Sequence, residues 1–497
     1  MTIKTTYPAT LLCDFYKINH RQQYPEGTEY VYSTWTPRST YIEGVTNVVA
    51  FGMQSFVKKY LIEYFNEHFF SRTKQEVIDE YVRFIKHSLF VDEPEYDHIA
   101  GLHDLGYLPL QIRMVKEGTL VPLRVPMATV VNTDPKFFWL TNYMETLMSS
   151  ENWLPATSAT IALEYKKLLL QYAELTGGDL GFVPFQGHDF SMRGMVIEAS
   201  KLSGAGHLTS FLGTDTIPAI TFLEQYYNAD IEQGIVGTSV NATEHSVMCA
   251  GGQESEYETY ERLINKVHPT GILSIVSDTW DLWSVLNDII ASLKNDIMQR
   301  DGKVVIRPDS GDPVKILCGD AQSDDVNVRK GVIEILWDIF GGTINDKGFK
   351  ELDSHIGAIY GDSITLARAE AICKGLMEKG FASTNVVFGI GSFTYQYQTR
   401  DTFGFAMKAV HVVINGEEKF ILKDPVTDTN KTKKSATGRL IVTRLGNDGE
   451  IVLKDGMTIQ EQHDNDGIDL LEDVFVDGKL IREQSLDEIR NLITSQI

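Results

Sequence analysis

Side chains able to do chemistry concentrate, in this 497-residue chain, in short loops that follow apolar runs. They are HDFSMRG at 188–194, GTD at 213–215, ATEHS at 242–246, SDTWD at 277–281, RPDSG at 307–311, GDS at 361–363 and GIGS at 389–392. Glycines such as Gly361 and Gly391 let backbone N–H groups approach phosphate oxygens. An arginine beside an aspartate, Arg307 with Asp309, can serve a phosphorylated sugar together with a metal ion. This is the chemistry of phosphosugar recognition. Standard nucleotide fingerprints are missing: there is no G-x-x-x-x-G-K-[ST], and the pairs Gly389/Gly391 and Gly204/Gly206 lack the third glycine of a Rossmann turn. Any one of these loops alone reads more readily as an ordinary turn or helix cap than as a site, since Asp and Gly are favoured there. Their recurrence at successive strand ends is what points to a site.

The elements that must position these loops are strands and helices in alternation. ILSIV (272–276), KVVI (303–306), HIGAIY (355–360) and NVVF (385–388) read as buried strands, and helical stretches such as ITLARAEAICKGLMEKG follow. Alternation implies a parallel sheet, and in a (β/α) barrel the C-terminal strand ends converge on one face where the last loops commonly bind phosphate. The expected fold is α/β: a (β/α) barrel-like domain over 151–394, and a mixed α+β sheet domain built from the N- and C-terminal segments, 1–150 with 395–497. In the latter, residues 53–90 are helical, with Thr73 and Glu76 as a capping box. LQIRMVKEG, TLVPLRV and MATVVN read as strands. Asp134-Pro135 opens the helical segment 136–150, and a separate long helix spans 155–178 up to its glycines. The last hundred residues read as antiparallel strands broken by Asn415-Gly416 and Asp448-Gly449. Lys423, Lys431, Lys433, Lys434 and Arg439 form the densest basic cluster, open equally to solvent or to an anion. The acidic stretch 461–478 is expected at the surface, and Ser485 with Glu488 caps a final helix.

Hydrophobic residues make up 43% and charged residues 23%, enough apolar material for packed cores and too ordered a mix for a disordered or fibrous chain. Lys plus Arg is 45 against 68 Asp plus Glu, a net −23 that repels nucleic-acid backbones and anionic membranes, so neither is an expected partner. Cys13, Cys249, Cys318 and Cys373 are scattered without a C-x-x-C pair, which suggests neither a disulfide framework nor a thiolate zinc site. No signal-peptide run or membrane span of about 20 apolar residues is present, and a cytoplasmic location is expected.

In order and spacing, CDFYK (13–17), QYP (23–25), NTDP (132–135), HDF..RG, GTDT, EHS, SDTWD, IRPDSG, GDS, TRD (399–401), KDP and GRL resemble the barrel-type (type II) phosphoribosyltransferases, specifically those that act on nicotinamide. The resemblance runs through nearly the whole chain. It implies transfer of a phosphoribosyl group from 5-phosphoribosyl 1-pyrophosphate to nicotinamide, releasing pyrophosphate, with Mg2+ required and ATP as co-substrate. It also implies a homodimer with shared active sites. By resemblance, Asp278 and Asp309 support the cationic ribose and Arg307 the leaving pyrophosphate, with Arg38, Arg400 and Lys408 reaching in from a second subunit. Gly361, Asp362, Gly391 and Ser392 hold the 5-phosphate and ribose, and Ser274 joins the substrate site. The pyridine ring stacks between Phe190 and a partner's Tyr16, with Arg193 facing the carboxamide oxygen and Asp215 the amide nitrogen. A carboxylate about 4 Å from nicotinate costs about 4 kcal/mol at an effective dielectric near 20, nearly three decades of affinity, which favours nicotinamide. His245 resembles the histidine that ATP phosphorylates, with Glu244 beside it to orient or polarise the ring. No metal ligand set is assigned. Ser191, Met192 and Ser363 depart from vertebrate members, where glycine or tyrosine is usual.

Three rivals remain at this stage. They are a nicotinate phosphoribosyltransferase on the same fold, a metal-dependent hydrolase, for which clustered histidines are lacking, and a phosphosugar sensor without turnover.

Overall fold

Runs of Val, Ile and Leu long enough for a strand and buried on both faces are what a parallel sheet requires. The computed structural model, which describes residues 7–425, 427, 434–446 and 449–497, places them accordingly. Lys431, Lys433 and Asp448 lie outside the described residues. The chain divides into two compact units: Met1–Thr160 with Phe222–Ala229 and Gln398–Ile497, and Ile161–Thr221 with Asp230–Tyr397.

The second unit is built on seven strands in the order Gly213–Thr214, Gly187–Phe190, Val386–Gly391, Ile356–Tyr360, Gly302–Arg307, Gly271–Val276 and Asn241–Ala242. Every neighbouring pair is parallel. Ile356–Tyr360 is buried along its whole length. The ring closes through residues 238–242. Thr238 bridges Gly213, with Thr214 N donating to Thr238 O at 2.9 Å, while Asn241 and Ala242 pair with Leu273 and Ser274. The fold is thus α/β with a barrel-like parallel sheet, and its C-terminal strand ends carry the loops singled out from the sequence.

The first unit holds a seven-stranded antiparallel sheet, ordered Glu417–Phe420, Ala406–Ile414, Thr28–Thr36, Ala128–Asn132, Leu110–Met114, Glu472–Val476 and Lys479–Leu480. Trp35 stacks on Phe405 with ring centroids 5.2 Å apart in a core that also takes in Phe56, Leu61, Tyr81 and Leu147. Both capping boxes form: Thr73 with Glu76 starts Lys74–Ser88, and Ser485 with Glu488 starts Leu486–Thr494.

Two expectations are corrected. Instead of a break before Pro155, one helix runs Glu145–Thr176 with the proline inside it. The ring that ought to break the helix is packed instead. Gly52, at φ +113°, lies so close that a Cβ there would meet Pro155 Cγ at 2.6 Å, and Asn152 Nδ2 caps the Met148 carbonyl at 2.7 Å. The acidic stretch 461–478 is also more than surface. Its apolar residues Leu471, Val474 and Phe475 are buried, and Glu472–Val476 extends the sheet beside Leu110–Met114.

Candidate functional site

Because the barrel strands are parallel, the loops after them open on one end, around a cavity of about 910 Å³. Phe190, Arg193 and Asp215 line it from the HDFSMRG and GTD loops, Glu244 from ATEHS, and Arg307 with Asp309 from RPDSG. Gly361, Asp362, Gly391 and Ser392 complete the wall. A second cavity of about 570 Å³, lined by residues of the barrel strands that include Ser274 and Lys303, shares Phe190, Asp215, Ala242 and Arg307 with the first. The Ser274 hydroxyl is buried there without a hydrogen-bond partner among the described residues.

Two glycines seat the Phe190 ring. A Cβ on Gly389 would come within 2.5 Å of Phe190 Cδ2, and one on Gly361 within 3.2 Å of Cε2, so the ring rests on bare backbone at the ends of two strands. Asp189, fully buried, ties this loop to the next. Its Oδ1 accepts from Ser191 N at 2.9 Å, and its Oδ2 accepts from Thr214 Oγ1 at 3.2 Å and Thr216 Oγ1 at 2.6 Å. Gly194 lets the same loop close on Ser392, whose Oγ would lie 2.2 Å from any Cβ there. At GDS, Ser363 adopts φ +49°, the left-handed region that glycine occupies without penalty.

Asp215 is half-exposed and accepts hydrogen bonds from His188 Nε2 at 2.9 Å and Ser239 Oγ at 2.6 Å. Burial opposes its ionisation, but those two hydrogen bonds, with the charges of His188 and Arg307, hold its carboxyl below the usual carboxylate range. A negative charge therefore lines the same cavity as the Phe190 ring. Sequence reasoning passed over His188 and Ser239. His188 sits inside the HDF motif, but nothing in its spacing reveals that it reaches 27 residues along the chain to Asp215.

The acidic centre lies at the ends of Gly271–Val276 and Gly302–Arg307. Asp278 Oδ2 accepts from Asp309 N at 2.8 Å and Ser310 Oγ at 2.5 Å, while its Oδ1 is buried with no hydrogen-bond partner among the described residues. Burial pushes the Asp309 carboxyl up; Arg307 and His245 oppose this, and Asp278 and Asp362 reinforce it. Arg307 donates through Nη2 to Thr243 O at 2.6 Å and holds Nε 3.6 Å from Asp309 Oδ2. The half-exposed His245 ring meets Thr279 Oγ1 at 3.3 Å through Nδ1, and its Nε2 lies 3.9 Å from Asp278 Oδ1. The ring's partners are thus Thr279 and Asp278. Glu244, expected to orient it, instead accepts from Ser246 Oγ.

Tyr16, Arg38, Arg400 and Lys408 belong to the first unit. Tyr16 is exposed, with His20 edge-on to its ring at 5.0 Å. Arg38 Nε donates to Gly404 O at 2.7 Å, and Arg400 Nη2 pairs with Asp401 Oδ1 at 3.0 Å. Burial lowers the pKa of the Lys408 ammonium; Glu145 opposes this, and the neighbouring cations Lys423, Arg38 and Lys17 add to it. That unit therefore carries a basic cluster of its own, including Lys17, which the sequence reading left without a role.

Among the described residues, no group of three or more His, Cys, Asp or Glu side chains is placed to hold a metal ion, and no helix is long and apolar enough to cross a membrane. The profile of the nicotinate phosphoribosyltransferase (NAPRTase) family matches residues 185–479, and that of the nicotinamide phosphoribosyltransferase N-terminal domain matches residues 9–112. A nicotinamide phosphoribosyltransferase of Acinetobacter baylyi is 52% identical over 97% of this chain and 96% of its own. One of Mycoplasma pneumoniae is 36% identical over 88% and 96%. Among solved structures, a nicotinate-nucleotide pyrophosphorylase from Pyrococcus furiosus superposes with a TM-score of 0.59 at 15% identity, covering 100% of this chain and 98% of that one, which speaks for the fold. With strand-end loops, barrel and family profiles in agreement, the chain belongs to the nicotinate phosphoribosyltransferase family and is a pentosyl-transferring enzyme.

Proposed function

We propose that this enzyme makes nicotinamide mononucleotide and pyrophosphate from nicotinamide and 5-phosphoribosyl 1-pyrophosphate, a salvage step in NAD synthesis. The observation that carries this reading is the ionised Asp215 lining the same cavity as Phe190, placed to accept an amide N–H and to repel a carboxylate. The nicotinamide ring stacks on Phe190, with Arg193 donating to the carboxamide oxygen. Substitution at the anomeric carbon leaves positive charge on the ribose, which Asp278 and Asp309 stabilise, while Arg307 favours departure of the pyrophosphate. Gly361, Asp362, Gly391 and Ser392 hold the 5-phosphate and ribose hydroxyls.

The acidic centre fits Mg2+. That ion keeps several waters and binds through one or two carboxylates plus substrate phosphates, so it needs no all-protein cage, and Asp278 offers a buried oxygen that accepts no hydrogen bond from the described residues. Asp278 and Asp309 would hold it, and when bound it neutralises charge on the pyrophosphate. His245 accepts a phosphoryl group from ATP, releasing ADP, and water then cleaves the phosphohistidine to phosphate and free His245, which couples ATP hydrolysis to the reaction in a cytoplasmic enzyme. In a homodimer, Tyr16, Arg38, Arg400 and Lys408 of the second subunit complete each site.

The test offers purified protein 5-phosphoribosyl 1-pyrophosphate, Mg2+ and ATP with nicotinamide or nicotinate. Preference for nicotinamide supports the reading, preference for nicotinate keeps the family and overturns the role of Asp215, and no product from either favours a sensor or hydrolase. Label from γ-32P-ATP retained by wild type and lost in His245→Ala supports the phosphohistidine; equal labelling of both removes it.

A further inference from the structure

The antiparallel sheet of the first unit carries a cavity of its own, about 510 Å³, with no part in the proposed reaction. Tyr30, Tyr32, Gln111 and Arg113 line it from the sheet, and Arg439 and Gln462 from elsewhere in the same unit. Its two arginines differ in their partners. Arg113 is matched by carboxylates: Nη2 bonds Asp466, Nη1 lies 3.3 Å from Asp469, and Nε lies 3.9 Å from Asp473. For Arg439, no hydrogen-bond acceptor or ion-pair carboxylate is found among the described residues. Its side chain is nine-tenths buried, its guanidinium stands 4.2 Å from the centroid of the Tyr32 ring, and its Nε is buried without a partner. Glu418 is near enough to be felt, yet its Oε2 is taken by His411 Nε2 at 2.8 Å and Ile459 N at 2.9 Å. Gln462 donates to the Tyr32 hydroxyl at 3.2 Å and to Leu440 O at 2.7 Å, which fixes the platform under the guanidinium.

A guanidinium keeps its charge in a protein, and burial without a partner is costly. The cation–π contact satisfies only the face of the group; the N–H donors along its edge still call for an acceptor. The carboxylates at the cavity are already engaged by Arg113, so among the described residues no anion is left to complete Arg439. We propose that this cavity is a second, non-catalytic site that holds the phosphate group of a small molecule against the edge of Arg439. The planar fork of arginine suits phosphate oxygens two at a time. A cavity within the range of about 300–1,000 Å³ typical of small-molecule sites leaves room beside Tyr30 for whatever the phosphate is attached to.

Equilibrium dialysis of the full chain with labelled inorganic phosphate, and in a parallel arm with labelled adenosine monophosphate, counts the sites. The expected result is a site that survives Arg307→Ala in the other unit and weakens at least about tenfold in Arg439→Gln. Gln111→Trp fills the cavity from the sheet side and abolishes the same site, so the test holds even where Arg439→Gln does not fold. Neither Arg439→Gln nor Gln111→Trp slows mononucleotide formation at saturating substrate. Tighter binding of adenosine monophosphate than of phosphate assigns the group to a nucleotide, and equal binding assigns free phosphate. The proposal is overturned if neither probe fills a site that survives Arg307→Ala, or if that site is unchanged in folded Arg439→Gln or Gln111→Trp.

Discussion

His188 and Ser239 hold the Asp215 carboxyl below its usual range, and in the proposed reaction this carboxylate sets the choice of nicotinamide over nicotinate. Asp215→Asn therefore lowers the ratio of kcat/KM for nicotinamide over nicotinate. The Coulomb limit is about three decades, but the carboxylate is half-exposed and screened, so we expect about one to two decades. Steady-state kinetics with both substrates measures it, and an unchanged ratio assigns selectivity elsewhere. His188→Ala, which removes one of the two donors, shifts the ratio in the same direction. In the proposed reaction Asp309 supplies the acid limb of the pH dependence. It acts ionised, and burial with Asp278 and Asp362 holds its pKa above the ordinary aspartate value of about 4, so activity falls on acidification before an ordinary carboxylate would protonate. Asp362→Asn removes one of the carboxylates that raise it and moves the acid limb of the kcat/KM profile to lower pH. An unmoved limb excludes Asp309 as its source.

At the scale of elements, the site depends on strand ends that carry no side chain. Gly389→Ala places a Cβ 2.5 Å from Phe190 and 2.6 Å from Gly361 Cα, neither of which can yield without moving the ring. We expect KM for nicotinamide to rise about tenfold or more and stability to fall by about 1–3 kcal/mol, read from kinetics and denaturant unfolding. Full activity in this variant would mean that the ring does not stack as proposed. The alternation of strand and helix and both capping boxes were legible because they rest on local patterns of period two or 3.6 and on side chains three residues apart. The continuity of Glu145–Thr176 was not. Local rules end a helix before Pro155, and only packing against Gly52, about a hundred residues away in sequence, makes the proline tolerable. Phe475 and Leu471 were likewise masked by acidic neighbours whose side chains face other ways.

At the scale of the whole molecule, the shared-site proposal has a direct consequence. Tyr16→Ala and Arg193→Ala each inactivate a homodimer, but a mixed dimer holds one intact site of two. Random re-association of equal amounts then restores about a quarter of wild-type activity. Mixing followed by dissociation and reassembly measures it, and no recovery means that Tyr16 and Arg193 serve within one subunit or in no common site. By itself, the sequence determined the α/β character, the strand-end loops and the identity of most residues around the larger cavity, because residue type, local period and motif order are properties of short segments. Tertiary structure alone decided the rest. It showed that His188, 27 residues away, hydrogen-bonds Asp215, that His245 looks to Thr279 and Asp278 rather than Glu244, and that Arg439 lies buried on Tyr32. Each is a contact between segments 27 to several hundred residues apart, set by how a barrel closes or a sheet orders its strands, and no local pattern encodes that distance.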